Sequence, residues 1–349
     1  MSFRFQAPDE DGIPFNPSSS SNNVFLFGRA ARTSSNSTNA PSISLAPSLN
    51  SAPSCANCGK GEEEEQKLKK CSACQSVKYC SVECQIAHRP QHKKACKKIV
   101  AELYEERLFK DVEPEDCPIC MLPLPCVEDD ENTFKSCCGQ IICDGCIYAM
   151  HLDACEKGVE DCCAFCRTPL TTSMEIGTIR LKKLMATGNP HAFNKVATCY
   201  FLGSLGFPQD AEKANELYLK AGELGSAEAY TNLACNYEMG RGVVIDYKKA
   251  KHYYELAAMN GCIQARRQLG GIETQNGNVT RGMKHFLIAA RAGDKTSLDT
   301  VQASYPLGWV TKDDYANALR GYQKRRDDVK SEQRDKARKA ERLFGDWKD

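Results

Sequence analysis

The run CSACQSVKYCSVECQIAHRPQHKKAC, residues 71–96, carries three donor pairs: Cys71 and Cys74, Cys80 and Cys84, and His92 and Cys96. Just upstream, Cys55 and Cys58 make a fourth. A C-x-x-C pair bends the backbone so that two thiolates face one ion. A Cys-x-x-x-Cys or His-x-x-x-Cys pair sets two donors one turn apart on a helix. Zinc takes four nitrogen or sulfur donors in a tetrahedron, so eight donors supply two ions. Pairing neighbours would give two beads on a string, whereas interleaving locks the whole segment. The expectation is therefore Cys55, Cys58, Cys80 and Cys84 on one zinc, and Cys71, Cys74, His92 and Cys96 on the other. A unit this short cannot build a self-sufficient apolar core. Metal must carry its fold, at about 10–16 kcal/mol per structural zinc. Both spheres are closed by protein, so neither reads as a catalytic metal site.

The spacing from Cys71 to Cys96, Tyr79 before Cys80, Gln85 after Cys84 and the closing HKKAC resemble the MYND zinc finger across residues 55–96. The match keeps His92 as the ligand rather than His88, which also has helical spacing from Cys84. The resemblance implies docking of proline-rich peptides. Arg89, however, stands where the family usually has the tryptophan of that surface. The competing expectation is a zinc knot that only scaffolds its neighbours.

Outward from this block, the chain holds 21 cysteines in 349 residues. Eighteen fall between Cys55 and Cys166, and the rest are Cys199, Cys235 and Cys262. Clustered cysteines are disulfides or metal ligands, and the redox compartment decides which. The N-terminus has no apolar stretch of secretory length, VFLF at residues 24–27 being far too short. Nor does any segment approach the roughly 20 apolar residues of a membrane span. The expectation is a cytoplasmic or nuclear chain with thiolates on metal and no membrane. Lys plus Arg is 46 and Asp plus Glu 45, a balance that argues against nucleic acid as partner. Residues 1–54, rich in Ser, Asn and Pro from residue 16, read as a disordered tail. Residues 97–111 read as a linker helix, with Ile99, Leu103 and Leu108 among charges.

A second Cys-rich block spans 112–170. Its candidate donors are Cys117 and Cys120, Cys137 and Cys138, Cys143 and Cys146, and Cys163 and Cys166. The segments DCPICMLPLP, SCCGQIICDGC and CCAFCRTPL resemble a RING finger. In that family the first and third pairs hold one zinc and the second and fourth hold the other. The resemblance thus implies a site of Cys117, Cys120, Cys143 and Cys146. For the second site, Gln140 stands where the family has a histidine, and an amide is a poor zinc ligand beside thiolates. Cys137 with Cys138, Cys163 and Cys166 is the favoured set. Alternatives are a fourth donor from His151, Cys155 or Cys162, or a weak or empty site. Cys126 reads as an unligated loop thiol. Ile119, inside the first C-x-x-C, and Arg167, after the last ligand, match positions that touch a ubiquitin-conjugating enzyme and its loaded ubiquitin in RING ligases. Such catalysis orients a thioester and needs no nucleophile from the chain. Ala164, where the family often has proline, departs from the pattern.

From Thr172 onward cysteine thins and helical spacing takes over, with Thr172 and Glu175 reading as a capping box. The chain then repeats at a period of about 36 residues: Asp210 returns as Asp246, Lys213 and Ala214 as Lys249 and Ala250, Tyr218 as Tyr254, Gly225 as Gly261. A third, shorter copy places Gly293 in the same register, its inter-helix loop cut to Asn276, Gly277 and Asn278. Each copy reads as two antiparallel helices that must stack on neighbours to bury an apolar face. Ala229, Ala257 and Ala258 allow close approach, Leu233, Tyr237 and Tyr254 fill gaps, and Cys199, Cys235 and Cys262 read as small buried residues. Over about residues 188–295 the pattern resembles Sel-1-like repeats, relatives of tetratricopeptide repeats. Residues 311–349 read as a helix capped by Thr311, solvent-exposed and frayed in its charged later part.

The expected fold is mostly α: two small cross-brace zinc modules (55–96 and 112–170) followed by a helical solenoid over 171–310. The expected function is a zinc-binding protein-interaction protein, either a RING-type ubiquitin ligase recruiting substrate through its repeats or a non-enzymatic adaptor. The partners are proteins or peptides, a ubiquitin-conjugating enzyme among them in the first case. Helical repeats occupy the chain after residue 171, leaving no room for the methyltransferase domain that some MYND proteins carry.

Overall fold

A computed structural model describes residues 53–62, 67–125, 131–171 and 173–344. The expected disordered tail lies outside these residues but for Pro53 and Ser54, and Cys126 and Thr172 also lie outside them. The chain divides into two compact units, Met1–Val100 and Ala101–Asp349.

In the first unit, β1 (Lys69–Lys70) pairs antiparallel with β2 (Lys78–Tyr79). α1 (Val82–Leu108) then begins in this unit and ends in the second. The expected separate linker helix is thus the last turns of α1, which runs on through Pro90. Cys55, Leu68, Cys71, Cys74 and Tyr79 form the small core of the first unit, with Ile99 and Val100 against it. It is mostly sulfur, as expected of a fold too short to bury enough carbon.

After the end of α1, the second unit continues with β3 (Asn132–Lys135) paired antiparallel with β4 (Gln140–Cys143), followed by α2 (Asp144–Lys157). Cys117, Leu124, Ile142, Cys143, Cys146, Ile147 and Cys163 make its local core. α3 (Met174–Ala186) follows. Its N-cap is Ser173, whose hydroxyl accepts from the Ile176 amide, one residue beyond the expected Thr172.

The stacked helices are α4 (Pro190–Leu202), α5 (Ala211–Glu223), α6 (Ala227–Met239), α7 (Tyr247–Met259), α8 (Ile263–Gln275), α9 (Val279–Arg291) and α10 (Lys295–Ser304). The recurring residues have recurring jobs. Asp210 and Asp246 cap α5 and α7, accepting from the Lys213 and Lys249 amides at 2.9 and 3.0 Å. Tyr218 and Tyr254 are buried in successive cores. Gly225, Gly261 and Gly293 turn the chain at φ of +110°, +92° and +104°. The residue after each of these glycines caps the next helix: Ser226, Cys262 and Asp294. Cys262 is therefore more than a small apolar filler. Its sulfur accepts from the Ala265 amide at 3.5 Å and from the Thr231 hydroxyl at 3.2 Å.

The C-terminal segment differs most from expectation. α11 (Lys312–Asp328) is capped by Thr311, and α12 (Glu332–Phe344) then packs against α2. Ala337, Ala340 and Arg334 are buried, so this charged stretch is not a frayed solvent helix. Its apolar residues are sparse because arginine hydrogen bonds, rather than a wide apolar stripe, hold it. Among the described residues, no helix is long and apolar enough to cross a membrane.

Candidate metal centres

Four donor clusters form from C-x-x-C knuckles of one shape. In each, the first cysteine's amide donates to a carbonyl five or six residues on: Cys55 to Lys60, Cys71 to Val77, Cys117 to Leu122 and Cys163 to Thr168, all at 2.8–2.9 Å. The residue four places after it donates back to that cysteine's carbonyl and sits at positive φ: Gly59, Gln75, Met121 and Arg167. The left-handed residue turns the chain so that both sulfurs face one point. Arg167 thus has a backbone role besides the one its place after the last ligand implies. Its side chain is exposed and donates to the Met150 sulfur at 3.0 Å.

In the first unit, the structure brings together Cys55, Cys58, Cys80 and Cys84, and separately Cys71, Cys74, His92 and Cys96. In the second it gathers Cys117, Cys120, Cys143 and Cys146, and Cys137, Cys138, Cys163 and Cys166. Within each set the ligand atoms lie within 4.8 Å of one another. The near sulfur pairs include Cys137–Cys166 at 3.4 Å, Cys58–Cys80 at 3.5 Å, and Cys117–Cys146 and Cys138–Cys163 at 3.9 Å. A tetrahedron with zinc–sulfur bonds of about 2.3 Å has edges of about 3.8 Å. A disulfide, at about 2.05 Å, is far shorter. The donor sets fit zinc.

Each set interleaves first with third and second with fourth pairs. His92 turns Nε2 to Cys74 Sγ at 3.3 Å. His88 stacks on the His92 ring at 5.7 Å, and the Tyr79 hydroxyl meets its Nδ1 at 3.1 Å, so it steadies His92 from outside the donor set. Cys137 and Cys138 both face Cys163 and Cys166, while Gln140 contributes its backbone to Cys138. His151 instead pairs with Asp161 at 2.7 Å, and Cys155 lies beside that histidine, outside the set. Cys162 is outside it as well.

Crowded sulfurs need a cation. The Cys80 thiol is pushed up to about 12 by its hydrogen bonds with Cys58, Cys84 and Cys55. Cys96 rises to about 12 through burial and its contacts with Cys74 and Cys71. Other sulfurs are drawn the opposite way. Burial opposes ionisation of Cys74 and Cys166, but the hydroxyls and backbones of Ser76 and Thr168 bring both down to about 6. Those hydroxyls stand 3.1 Å from the sulfurs. The signal was present in the sequence: each sits two residues after the second cysteine of its knuckle. Four such sulfurs are anionic together only around a positive ion.

The donor geometry and the stacked helix pairs define a zinc-binding protein built of interaction modules. More particularly, residues 55–96 match the MYND finger family, and residues 190–226, 227–262 and 266–294 match the Sel1 repeat family. The cysteine clusters between residues 117 and 166 are consistent with a RING-like module. No curated protein sequence matches the chain. Among solved structures, the chain is similar to a Sel1 repeat protein from Oxalobacter formigenes, at 29% identity and a TM-score of 0.39. That match covers 43% of this chain and 65% of the other. It is also similar to a protective antigen present in uropathogenic Escherichia coli strains displaying an SLR fold, at 26% identity and a TM-score of 0.37, covering 50% of this chain and 38% of the other. The chain therefore spans less than two thirds of the length of either.

Proposed function

We propose that this protein is a zinc-dependent ubiquitin ligase of RING type, which docks a ubiquitin-conjugating enzyme on its second zinc module and recruits substrate through its Sel1 repeats. The broader role, protein interaction, follows from the modules themselves. The narrower one is supported by a single observation: apolar side chains left exposed on the module's outer knuckles. Ile119 is 39% exposed, Met121 69% and Phe165 45%. A module that served only as a packed spacer would gain by covering them. The exposed Arg167 follows the last knuckle cysteine, where a cation can hold the carbonyls of an extended ubiquitin tail. Two zincs per cross-brace fix these knuckles as one rigid surface. The module itself contributes orientation, not a nucleophile.

The test is autoubiquitination of the full chain with a panel of conjugating enzymes, with zinc content measured in parallel. Chains should form with at least one enzyme and should be lost in Ile119→Ala and Arg167→Ala proteins that keep their zinc. Absence of chains with every enzyme would leave an adaptor that binds and transfers nothing.

A further inference from the structure

We propose that Arg334, carried by α12, is the residue that retains zinc at Cys117, Cys120, Cys143 and Cys146. The zinc module is then completed by a helix more than two hundred residues beyond its first knuckle. The inference rests on the reading that these four cysteines hold a metal ion.

The geometry is specific. Arg334 is 2% exposed. One terminal nitrogen donates to the Pro123 carbonyl at 2.7 Å and to Val329 at 2.9 Å. The other reaches the Leu122 carbonyl at 3.3 Å and Cys120 Sγ at 3.5 Å. Two of these partners, Cys120 and Leu122, belong to the knuckle that supplies half the donor set. The approach is close enough that a side chain at Gly145, next to the ligand Cys146, would meet the Arg334 backbone at 2.7 Å. Flanking contacts hold the helix there: Arg338 pairs with Glu131, and Arg325 donates to the Leu124 carbonyl at 2.6 Å.

The chemistry explains why a guanidinium belongs at this point. Four thiolates around a dication leave a net charge of −2, spread over the sulfurs. A hydrogen bond from a cation withdraws charge from the sulfur that receives it, which lowers its tendency to take a proton or meet an electrophile. Cys117, Cys143 and Cys146 are buried, and Cys120 is the partly exposed member of the set. Acid or a chelator would reach Cys120 first, and Arg334 stands over that sulfur as well as the buried Cys143. Lysine would serve poorly, because a point charge cannot span two carbonyls and a sulfur as a planar fork does.

Full-length protein with bound metal is challenged with a chelator, and the ions remaining are counted by native mass spectrometry. Cysteine labelling identifies the site that empties. In Arg334→Ala, one ion should leave about 10–100-fold faster than in the parent, with the MYND ions unchanged. Arg334→Lys should fall between the two. Cobalt-substituted protein adds a readout that simple loosening of the helix does not produce: the sulfur-to-cobalt charge-transfer bands should shift in Arg334→Ala. Should that variant fail to fold, Arg334→Lys carries both measurements. Identical release profiles and superimposable cobalt spectra would overturn the inference. A parent with no metal on these four cysteines would instead overturn the zinc reading on which it rests.

Discussion

The guanidinium of Arg266, on α8, donates to the carbonyl of Leu108 at 2.6 Å, closing the last turn of α1. It also donates to Lys110 at 2.8 Å and Ala258 at 3.1 Å, and only 2% of the residue is exposed. Burial draws its proton affinity down to about 10, so it remains charged at neutral pH. One side chain thereby satisfies three carbonyls: Leu108 at the end of α1, where the final carbonyls have no intrahelical partner, Lys110 just beyond it, and Ala258 in the last turn of α7.

Arg266→Met should therefore destabilise the repeat stack by about 3 kcal/mol, because buried acceptors lose their donor. Urea denaturation followed by circular dichroism measures this. Arg266→Lys should recover only part of the loss, since it reaches fewer of the three carbonyls.

His285 predicts an acid limit. It is fully buried, and among the described residues neither ring nitrogen has a hydrogen-bond partner. Phe109 lies against it at 4.6 Å. Burial, then Arg266, Arg281 and Lys251, with Glu273 opposing, bring its proton affinity down to about 3. The folded chain thus keeps His285 neutral, while the unfolded chain protonates near the ordinary value of about 6.5. Its contribution is intact above that pH and is lost as pH falls toward 3, at up to about 1.4 kcal/mol per pH unit. In His285→Phe, stability between pH 6 and about 4 should decline less steeply than in the parent. Equal slopes would remove His285 as the cause.

Two adjacent glycines of α8 should respond with opposite sign. A Cβ at Gly270 would lie 2.8 Å from the Phe286 ring, whereas at Gly271 it would meet nothing within 4 Å. Gly270→Ala should cost about 1–3 kcal/mol through overpacking. Gly271→Ala should stabilise the helix by about 1 kcal/mol. Thermal melts of the two variants read the contrast directly.

These features mark how far the sequence reaches. The donor pairs and the repeat register were legible because both are local: a C-x-x-C knuckle is closed by its own backbone, and Asp210 and Asp246 do the same job 36 residues apart. Where a contact joins distant segments, spacing carried no signal. Arg334 meets Leu122 and Pro123 across the length of the repeats, and it sits in a stretch whose charge reads as a solvated face. Arg266 has no counterpart at the matching positions that spacing could flag, yet it closes a helix more than 150 residues upstream. Cys262 reads as a filler for a different reason: the caps after Gly225, Gly261 and Gly293 are Ser, Cys and Asp, a shared role hidden by unlike residues.

Chelation should divide the molecule. With a strong chelator and reductant, the segment over 55–96 should lose fixed structure, since its core is mostly sulfur, and the knuckles over 112–170 should loosen around their sulfurs while the α12 contacts to Pro123 and Glu131 remain. Helices α4 to α10 should keep theirs, because their cores are carbon and hydrogen bonds. Far-ultraviolet circular dichroism should show most helix retained, and limited proteolysis should cut first in the two cysteine-rich segments. Simultaneous loss of all helical signal would contradict this division.

Zinc-edge X-ray absorption on the purified chain tests the central claim most directly. Four ions held by fifteen sulfurs and one imidazole are expected, with zinc–sulfur distances of about 2.3 Å and a single minor nitrogen shell. A folded chain that carries no zinc, or one whose sulfurs are joined in disulfides, would contradict it.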